Sequence, residues 1–463
     1  MLLFSLDETS DEPMYQQIYS HIKKEILAGG IGCQEKLPSV RELAGCLSIS
    51  RNPVDAAYEQ LVAEGYVTAS PKKGYFVNQI TYTQQIPGKG ISEEAAEQDG
   101  ESERRWKYDF NPDAVDVSHF PYSVWKGIGR QMLDDPALFQ AGDARGDASL
   151  RQAIASYLHG SRGVLCRSEN IIVGAGMGYL LQLLSVLFRE EGCMAFEEPG
   201  YVRAKEILSS NGFRIVNVPV CENGIDFDKL EAEGLNLCYL TPSHQFPLGT
   251  VMSIAQRQRI LRWAYEREGR YVIEDDHDSE YRYKGKPIPA LQSLDSNGRV
   301  IYIGTFSKSI GPALRMGYMV LPDVLMEKFQ KCCGSYNCPV SRLDQAIVAA
   351  FIQEGYFEKH LNRMRKHYKE KHDTVLSVFR KYHDKVCVSG DYAGLYVIAA
   401  CISGKREEQI LEEAKGRSMY LRPLSRYYAS LPESYVPSFL IGFAIPDADK
   451  LAEGLELLCQ SVF

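Results

Sequence analysis

One lysine in this sequence stands where it could act as a reagent. Lys308 lies in Gly-Thr-Phe-Ser-Lys-Ser-Ile-Gly-Pro-Ala-Leu-Arg-Met-Gly-Tyr, residues 304 to 318, directly after the apolar run Val300-Ile301-Tyr302-Ile303. An apolar run of that length reads as a buried strand. A lysine at a strand end can lose its proton when it is desolvated or set beside another cation. It can then form a Schiff base with an aldehyde cofactor. Thr305, Ser307 and Arg315 could hold that cofactor's phosphate. Taken alone, Ser-Lys in a loop equally describes an ordinary surface lysine, so the other strand ends decide the matter.

A dense acidic run, Glu274-Asp275-Asp276-His277-Asp278-Ser279-Glu280, follows the apolar pair Val272-Ile273. One of its carboxylates could pair with a protonated ring nitrogen, as pyridoxal phosphate requires to act as an electron sink. A metal site is the rival reading, but no second cluster of ligands supports it and none is expected. Gly174-Ala175-Gly176-Met177-Gly178 opens an apolar helix after Ile171-Ile172-Val173. Small residues there would let backbone N–H groups face a phosphate, although many strand-to-helix turns are rich in glycine. After Met194-Ala195-Phe196 come Tyr201, able to stack on an aromatic cofactor, and Arg203, able to meet an anion. Either could also be a plain surface residue.

The elements that would position these groups form an alternating pattern. Apolar runs at Ile171–Val173, Met194–Phe196, Ile215–Val218, Leu237–Leu240, Val272–Ile273, Val300–Ile303 and Gly317–Leu321 alternate with helical segments. That is the signature of an α/β fold with a mostly parallel sheet covered on both faces, in which ligands sit beyond the strands' carboxyl ends. Residues from about 330 to 463 read as a smaller α+β part, with long amphipathic helices near 341–382 and strands near 392–401 and 439–444.

Residues 1–78 read differently. Tyr15, Ile18, Ile22 and Ile26 share a helical face that Gly29-Gly30 ends. Pro38 suits the first turn of a second helix bearing Val40, Leu43, Ala44 and Leu47. Ser50 suits the N-cap of a third, with Val54, Ala57, Tyr58 and Leu61 on one face. Two short strands, Val67-Thr68 and Gly74 to Val77, flank Pro71-Lys72-Lys73. Three helices and a β-wing make a winged helix-turn-helix. Ser50, Arg51 and Asn52 would enter the major groove, Arg41 would touch the backbone, and Lys72 and Lys73 would bring the wing to a phosphate or the minor groove. From Met14 to Asn78 the segment carries seven Lys and Arg against six Asp and Glu, so the placement of the cations favours DNA over a helical interaction domain. Residues 79–107, with Pro87-Gly88-Lys89-Gly90 and then Glu93, Glu94, Glu97, Asp99, Glu101 and Glu103, read as a solvated acidic tether.

Bulk properties fit a multidomain cytoplasmic protein. A chain of 463 residues exceeds one ordinary domain. No apolar run is long enough to span a bilayer, and the N-terminus lacks the basic start of a signal peptide. The 12 cysteines form no CxxC pair and read as reduced thiols. A net charge of −8 gives no hint of nucleic acid by itself.

The stretch LPSVRELAGCLSISRNPVDAAYEQLVAEGYV followed by KKGYFV resembles the DNA-binding domain of GntR-type bacterial repressors. It departs from that pattern at Asn52-Pro53, where a hydroxyl residue usually precedes the valine. GDARGDASLRQAIASYL, EEPGYVRA, TPSHQFPLG, EDDHDSEYRY and GTFSKSIGPALRMGY resemble fold-type I aminotransferases. The order of parts, over nearly the whole chain, resembles the MocR/GabR-type regulators: 1–78 a winged-helix head, 79–107 a linker, 108–463 an aminotransferase-like body.

The resemblance implies that Lys308 carries pyridoxal 5′-phosphate and Asp275 pairs with its pyridine nitrogen. Tyr201 would stack on the ring, and Ala175, Gly176, Met177, Thr305, Ser307 and Arg315 would surround the phosphate. His277 stands where the family has a tyrosine that bonds the phenolic oxygen; an imidazole can donate that bond but titrates near neutrality. Phe246 replaces the asparagine of active aminotransferases, and Leu440 the arginine that binds a substrate carboxylate. Arg203, Arg422 or Arg426 would supply that charge instead. The implied protein is a homodimer, with DNA-binding heads that could be swapped between subunits. It binds a double-stranded operator and senses a small amine or amino acid that displaces Lys308 in an external aldimine. The alternative is a working aminotransferase with an accessory head.

Overall fold

The computed structural model describes residues 4, 6–7, 12–79, 106–221, 224–283, 288–445 and 447–463. The acidic run of the expected tether, within residues 80–105, lies outside the described residues. The chain divides into two units, Met1–Arg104 and Arg105–Phe463.

In the first unit the helix Met14–Leu27 buries Ile18, Ile22 and Ile26. The buried stripe begins at Ile18, and Tyr15 in the first turn is 43% exposed. Each buried isoleucine contributes about 1.5–3 kcal/mol. The second helix, Val40–Cys46, starts two residues later than Pro38 suggested. Ser39 is its N-cap, in a reciprocal capping box with Glu42. The third, Arg51–Ala63, buries the four residues expected, Val54, Ala57, Tyr58 and Leu61, and the Tyr58 hydroxyl donates to the Pro38 carbonyl at 2.9 Å. Ser50 occupies its N-cap position, but its side chain makes no cap hydrogen bond. An N-cap oxygen bonds the second or third N–H of the helix, and Pro53, third in the helix, removes one of those two donors. Strands Val67–Ser70 and Gly74–Val77 pair antiparallel as the wing.

The second unit is built on an eight-stranded sheet. Its order is Ile171–Gly174, Gly317–Val320, Val300–Thr305, Tyr271–Asp276, Leu237–Leu240, Cys193–Glu198, Arg214–Cys221 and Gly224–Ile225. Gly317–Val320 and Gly224–Ile225 run against the other six. Alternate residues point to opposite faces, and both faces are covered: Ile171 and Val173 enter one core while Ile172 enters another. That double burial explains why these strands read as unbroken apolar runs.

A second sheet of four strands comprises Val386–Ser389, Tyr396–Cys401, Ser438–Gly442 and Arg422–Pro423. It packs with the helices Arg342–Gln353, Tyr356–Lys381 and Ala448–Ser461. Gly355, at φ 74°, takes the left-handed turn between the first two of these helices. One pairing had no counterpart in the sequence reading: Tyr108–Asp109 lies parallel to Met419–Tyr420, so the start of this unit is built into its C-terminal third. All 12 cysteines are free thiols. Among the described residues no helix is long and apolar enough to cross a membrane.

Candidate functional site

The carboxyl ends of the central strands converge on a cavity of about 650 Å³. The acidic run shows how alternation distributes charge around it. Glu274 turns away from the cavity and accepts the backbone N–H groups of Leu291 and Gln292, both at 2.8 Å. Asp276, on the same side, accepts from Arg162 at 2.8 Å and from the Tyr302 hydroxyl at 2.5 Å. Asp275 points the other way and lines the cavity. One of its oxygens accepts from the Tyr239 hydroxyl; the other, Oδ1, is buried with no hydrogen-bond partner among the described residues. Burial raises the Asp275 carboxyl to about 6, against the opposing pull of His277 and Tyr239.

His277 also lines the cavity, with Nε2 3.2 Å from Asp278 Oδ1. Burial alone would lower its pKa, but Asp278, aided by Asp275 and Asp276, outweighs burial and lifts it to about 9. Asp278 is 2% exposed and accepts from His244 Nδ1 at 2.8 Å. Burial would raise its carboxyl, yet the two imidazoles hold it far below the usual range.

Lys308 follows the strand Val300–Thr305 and reaches the same cavity. Its backbone is pinned: Tyr281 donates to the Lys308 carbonyl at 3.1 Å, and His360 Nε2 lies 3.0 Å from the next carbonyl, that of Ser309. The ammonium donates to the Pro112 carbonyl at 3.0 Å. Burial lowers its pKa, with Asp113 and Asp278 opposing.

Arg315, also on the cavity wall, lies over the start of a helix. Gly176, at φ 79°, precedes the helix Met177–Leu187, and a Cβ there would stand 2.9 Å from Arg315 Nη2. Glycine is thus required both by the backbone and by the guanidinium lying over it. Thr305, Ser307, Met177 and Tyr201 line the same cavity. Ala175 does not: its side chain packs against the core, leaving only its backbone for a ligand. Arg203, Arg422 and Arg426 all lie on the cavity wall.

The departures from the aminotransferase pattern form one apolar patch. Phe246 meets the rings of Tyr201, His277, Tyr396 and Tyr427 edge-on at 5.0–5.9 Å between centroids. Leu440 is fully buried in the same cluster. Arg422 stands directly opposite Leu440 in the neighbouring antiparallel strand. Paired residues share a face of the sheet, so a cation lies one strand over from where the family carries its arginine.

Sequence reasoning assigned no role to Tyr239, His244, Asp278 or Asp113. A tyrosine and a histidine beside buried apolar strands were usable signals, since such polar groups need partners. Asp113, which pairs with Arg422 across 309 residues, had no local signal. In the first unit, Arg41, Ser50, Arg51, Asn52, Lys72 and Lys73 are all exposed or half-buried at the surface. Lys36, not singled out from the sequence, bridges to Phe76 by its backbone and lies along the wing at Gly74.

Comparison with known proteins agrees with this division. Residues 114–433 match the family "Aminotransferase class I and II", and residues 14–77 match "Bacterial regulatory proteins, gntR family". The "Uncharacterized HTH-type transcriptional regulator YdeL" of Bacillus subtilis is 40% identical over 98% of this chain and 97% of its own length. The "Probable rhizopine catabolism regulatory protein MocR" of Rhizobium meliloti is 34% identical over 98% of this chain and 94% of its own. The chain belongs to the MocR-type HTH transcriptional regulators. Like them, it joins a GntR-type winged helix to an aminotransferase-like body. Among solved structures, LysN, an α-aminoadipate aminotransferase of Thermus thermophilus complexed with N-(5'-phosphopyridoxyl)-L-leucine, superposes with a TM-score of 0.67. It is 26% identical and covers 76% of this MocR-type chain and 91% of its own.

Proposed function

We propose that this regulator binds pyridoxal 5′-phosphate in the cavity at Lys308 and adjusts its hold on a DNA operator when a small amine or amino acid enters there. The observation that carries the reading is Asp275 Oδ1, a buried carboxylate oxygen with no partner among the described residues, in the cavity that Lys308 shares. A protonated ring nitrogen would supply the missing donor and keep that carboxylate ionised. The phosphopyridoxyl group that LysN holds in a related fold supports the choice of cofactor.

When bound, the cofactor supplies an aldehyde that condenses reversibly with a primary amine. The chain's own residues do the rest. Arg315, the backbone N–H of Met177 and the Thr305 and Ser307 hydroxyls would hold the phosphate, with Gly176 leaving room for the Arg315 guanidinium. Tyr201 covers the ring, and His277 donates to the phenolic oxygen. Burial lets the Lys308 ammonium give up its proton. Arg203, Arg422 and Arg426 draw in the effector. Phe246 and Leu440 fill space that a transaminase uses for polar contacts, which favours sensing over sustained turnover.

In the first unit Arg51, Asn52 and Ser50 read base edges or phosphates, Arg41 touches the backbone, and Lys72 and Lys73, with Lys36 beside them, meet a phosphate or the minor groove. The Ser50 hydroxyl, unused as a cap, is free for this. A homodimer suits repeated half-sites. Tyr122, Leu133 and Phe139, each more than half exposed, supply apolar surface to bury between subunits. A DNA partner implies work in the cytoplasm.

The test is operator binding by the loaded protein at fixed salt, with and without candidate amines, alongside the visible absorbance of lysine-bound pyridoxal. Sequence-specific binding that an amine changes, together with a shift in absorbance, is expected. Binding no better than to random competitor DNA overturns the regulatory reading. Steady conversion of an amino acid and a keto acid at ordinary enzyme rates would replace it with a working aminotransferase.

A further inference from the structure

Two of the cavity's cations, Lys308 and Arg422, are already engaged by the protein's own chain. The Asp113 carboxylate pairs with the Arg422 guanidinium, which also donates to Asn111 Oδ1 at 3.1 Å and to the Tyr420 hydroxyl at 3.0 Å. Lys308 holds the carbonyl of Pro112, between them, at 3.0 Å. The turn Asn111–Asp113 is therefore clasped by the very lysine and arginine that an amino-acid ligand would need. It lies hard against the small sheet: a Cβ on Gly442 would stand 2.3 Å from the Asn111 carbonyl, and Gly442 donates its N–H to the Phe110 carbonyl at 2.9 Å. Just upstream, Tyr108–Asp109 pairs with Met419–Tyr420, and the Trp106 ring lies 5.9 Å from that of Tyr420. These residues lead directly back into the segment that joins the two units.

We propose that Asp113 is an internal counterion that a carboxylate-bearing effector displaces from Arg422, so that this aspartate sets effector specificity and its displacement frees residues 106–116. The proposal rests on the reading of the cavity as an effector site. Its physical basis is an exchange of like for like. A carboxylate arriving at Arg422 leaves the guanidinium paired, so the swap costs little, whereas an amine without a carboxylate has nothing to offer Arg422 and leaves the turn clasped. A ligand shifts a conformation only by its differential affinity for the two states, and here that difference is one ion pair traded for another.

The test uses the full chain and propanoate, a carboxylate with no amine, so its outcome does not depend on chemistry at Lys308. Backbone hydrogen exchange over residues 106–116 is followed together with propanoate affinity. In the wild type, propanoate should speed exchange there, and propylamine should not. In Asp113→Asn exchange should already be fast, and propanoate should bind about tenfold more tightly, a typical coupling between linked equilibria. Asp113→Glu should restore both properties toward wild type, which separates a charge effect from simple misfolding, and Arg422→Gln should abolish the response to propanoate. The proposal is overturned if Asp113→Asn exchanges like the wild type over 106–116, or if its propanoate affinity is unchanged. Either result would leave the operator and absorbance tests of the broader reading untouched. Conversely, failure of those tests with a positive result here would leave Asp113 as a carboxylate gate without a regulatory role.

Discussion

The two units handle charge in opposite ways. In the winged helix the candidate contact residues Arg51, Lys72 and Lys73 are exposed, while the core of Ile18, Ile22, Tyr58 and Leu61 is apolar. Function and stability there rest on different atoms. In the larger unit they rest on the same ones: Asp275, Asp278 and His244 are each almost completely buried and line or support the cavity, with Asp278 paired to His244 and Asp275 held by the Tyr239 hydroxyl. A surface cation can be changed without unfolding anything, whereas a buried charge cannot lose its partner cheaply.

The sharpest way to break this contrast is at Lys308. Lys308→Ala should abolish the visible absorbance of lysine-bound pyridoxal entirely while leaving operator affinity of the ligand-free protein within about twofold, a surface-like outcome for the first unit. A large loss of DNA binding would mean that the two units are not separable in this sense. Next in size, Asp278→Asn should destabilise the larger unit by about 3–5 kcal/mol, because it leaves the His277 imidazolium without its buried counter-charge. Chemical denaturation followed by probes in each unit would show it, and an equal effect on both transitions would erase the contrast.

Titration sharpens the same point. His277 is raised from an ordinary 6.5 to about 9 in the folded protein. Its contribution is therefore fully present below about pH 6.5 and lost as pH rises through 9. Asp275, raised from 3.8 to about 6, acts in the same direction at lower pH: burying the ionised carboxylate costs stability, so stability falls as pH rises from about 4 through 6. The cofactor-free larger unit should lose stability steadily from about pH 6.5 to 9, while the winged helix changes little. A rise in stability over that range would contradict the pairing with Asp278. The smallest effect belongs to the wing: Lys72→Ala should weaken operator binding about equally for all sequences and reduce the salt slope by about 1.

Much of this was legible in the sequence where the physics is local. Most apolar runs of the large sheet were visible because both faces are buried, the exception being Arg214–Cys221, which buries only Val216 and Val218, and Lys308 and Asp275 because they sit at strand ends within distinctive strings. The buried face of the third head helix followed from its spacing alone. What escaped was set by partners far along the chain. Pro53 removed one of the two N–H groups that Ser50 could have capped, a consequence visible only once the start of the helix was fixed. The Asp113–Arg422 pair and the strand Tyr108–Asp109 depend on closure between segments some three hundred residues apart, for which an Asn-Pro-Asp turn carries no sign.

That last closure bears on how the protein is made. The core of the winged helix draws only on residues up to Val77, so it can fold as soon as that stretch leaves the ribosome. Tyr108, by contrast, needs Met419 beside it and hydrogen-bonds Glu453. At bacterial elongation rates of about 5–20 residues per second, roughly 20–80 s separate the two events. During synthesis each new chain thus exposes a finished DNA-binding head well before the part that would instruct it exists.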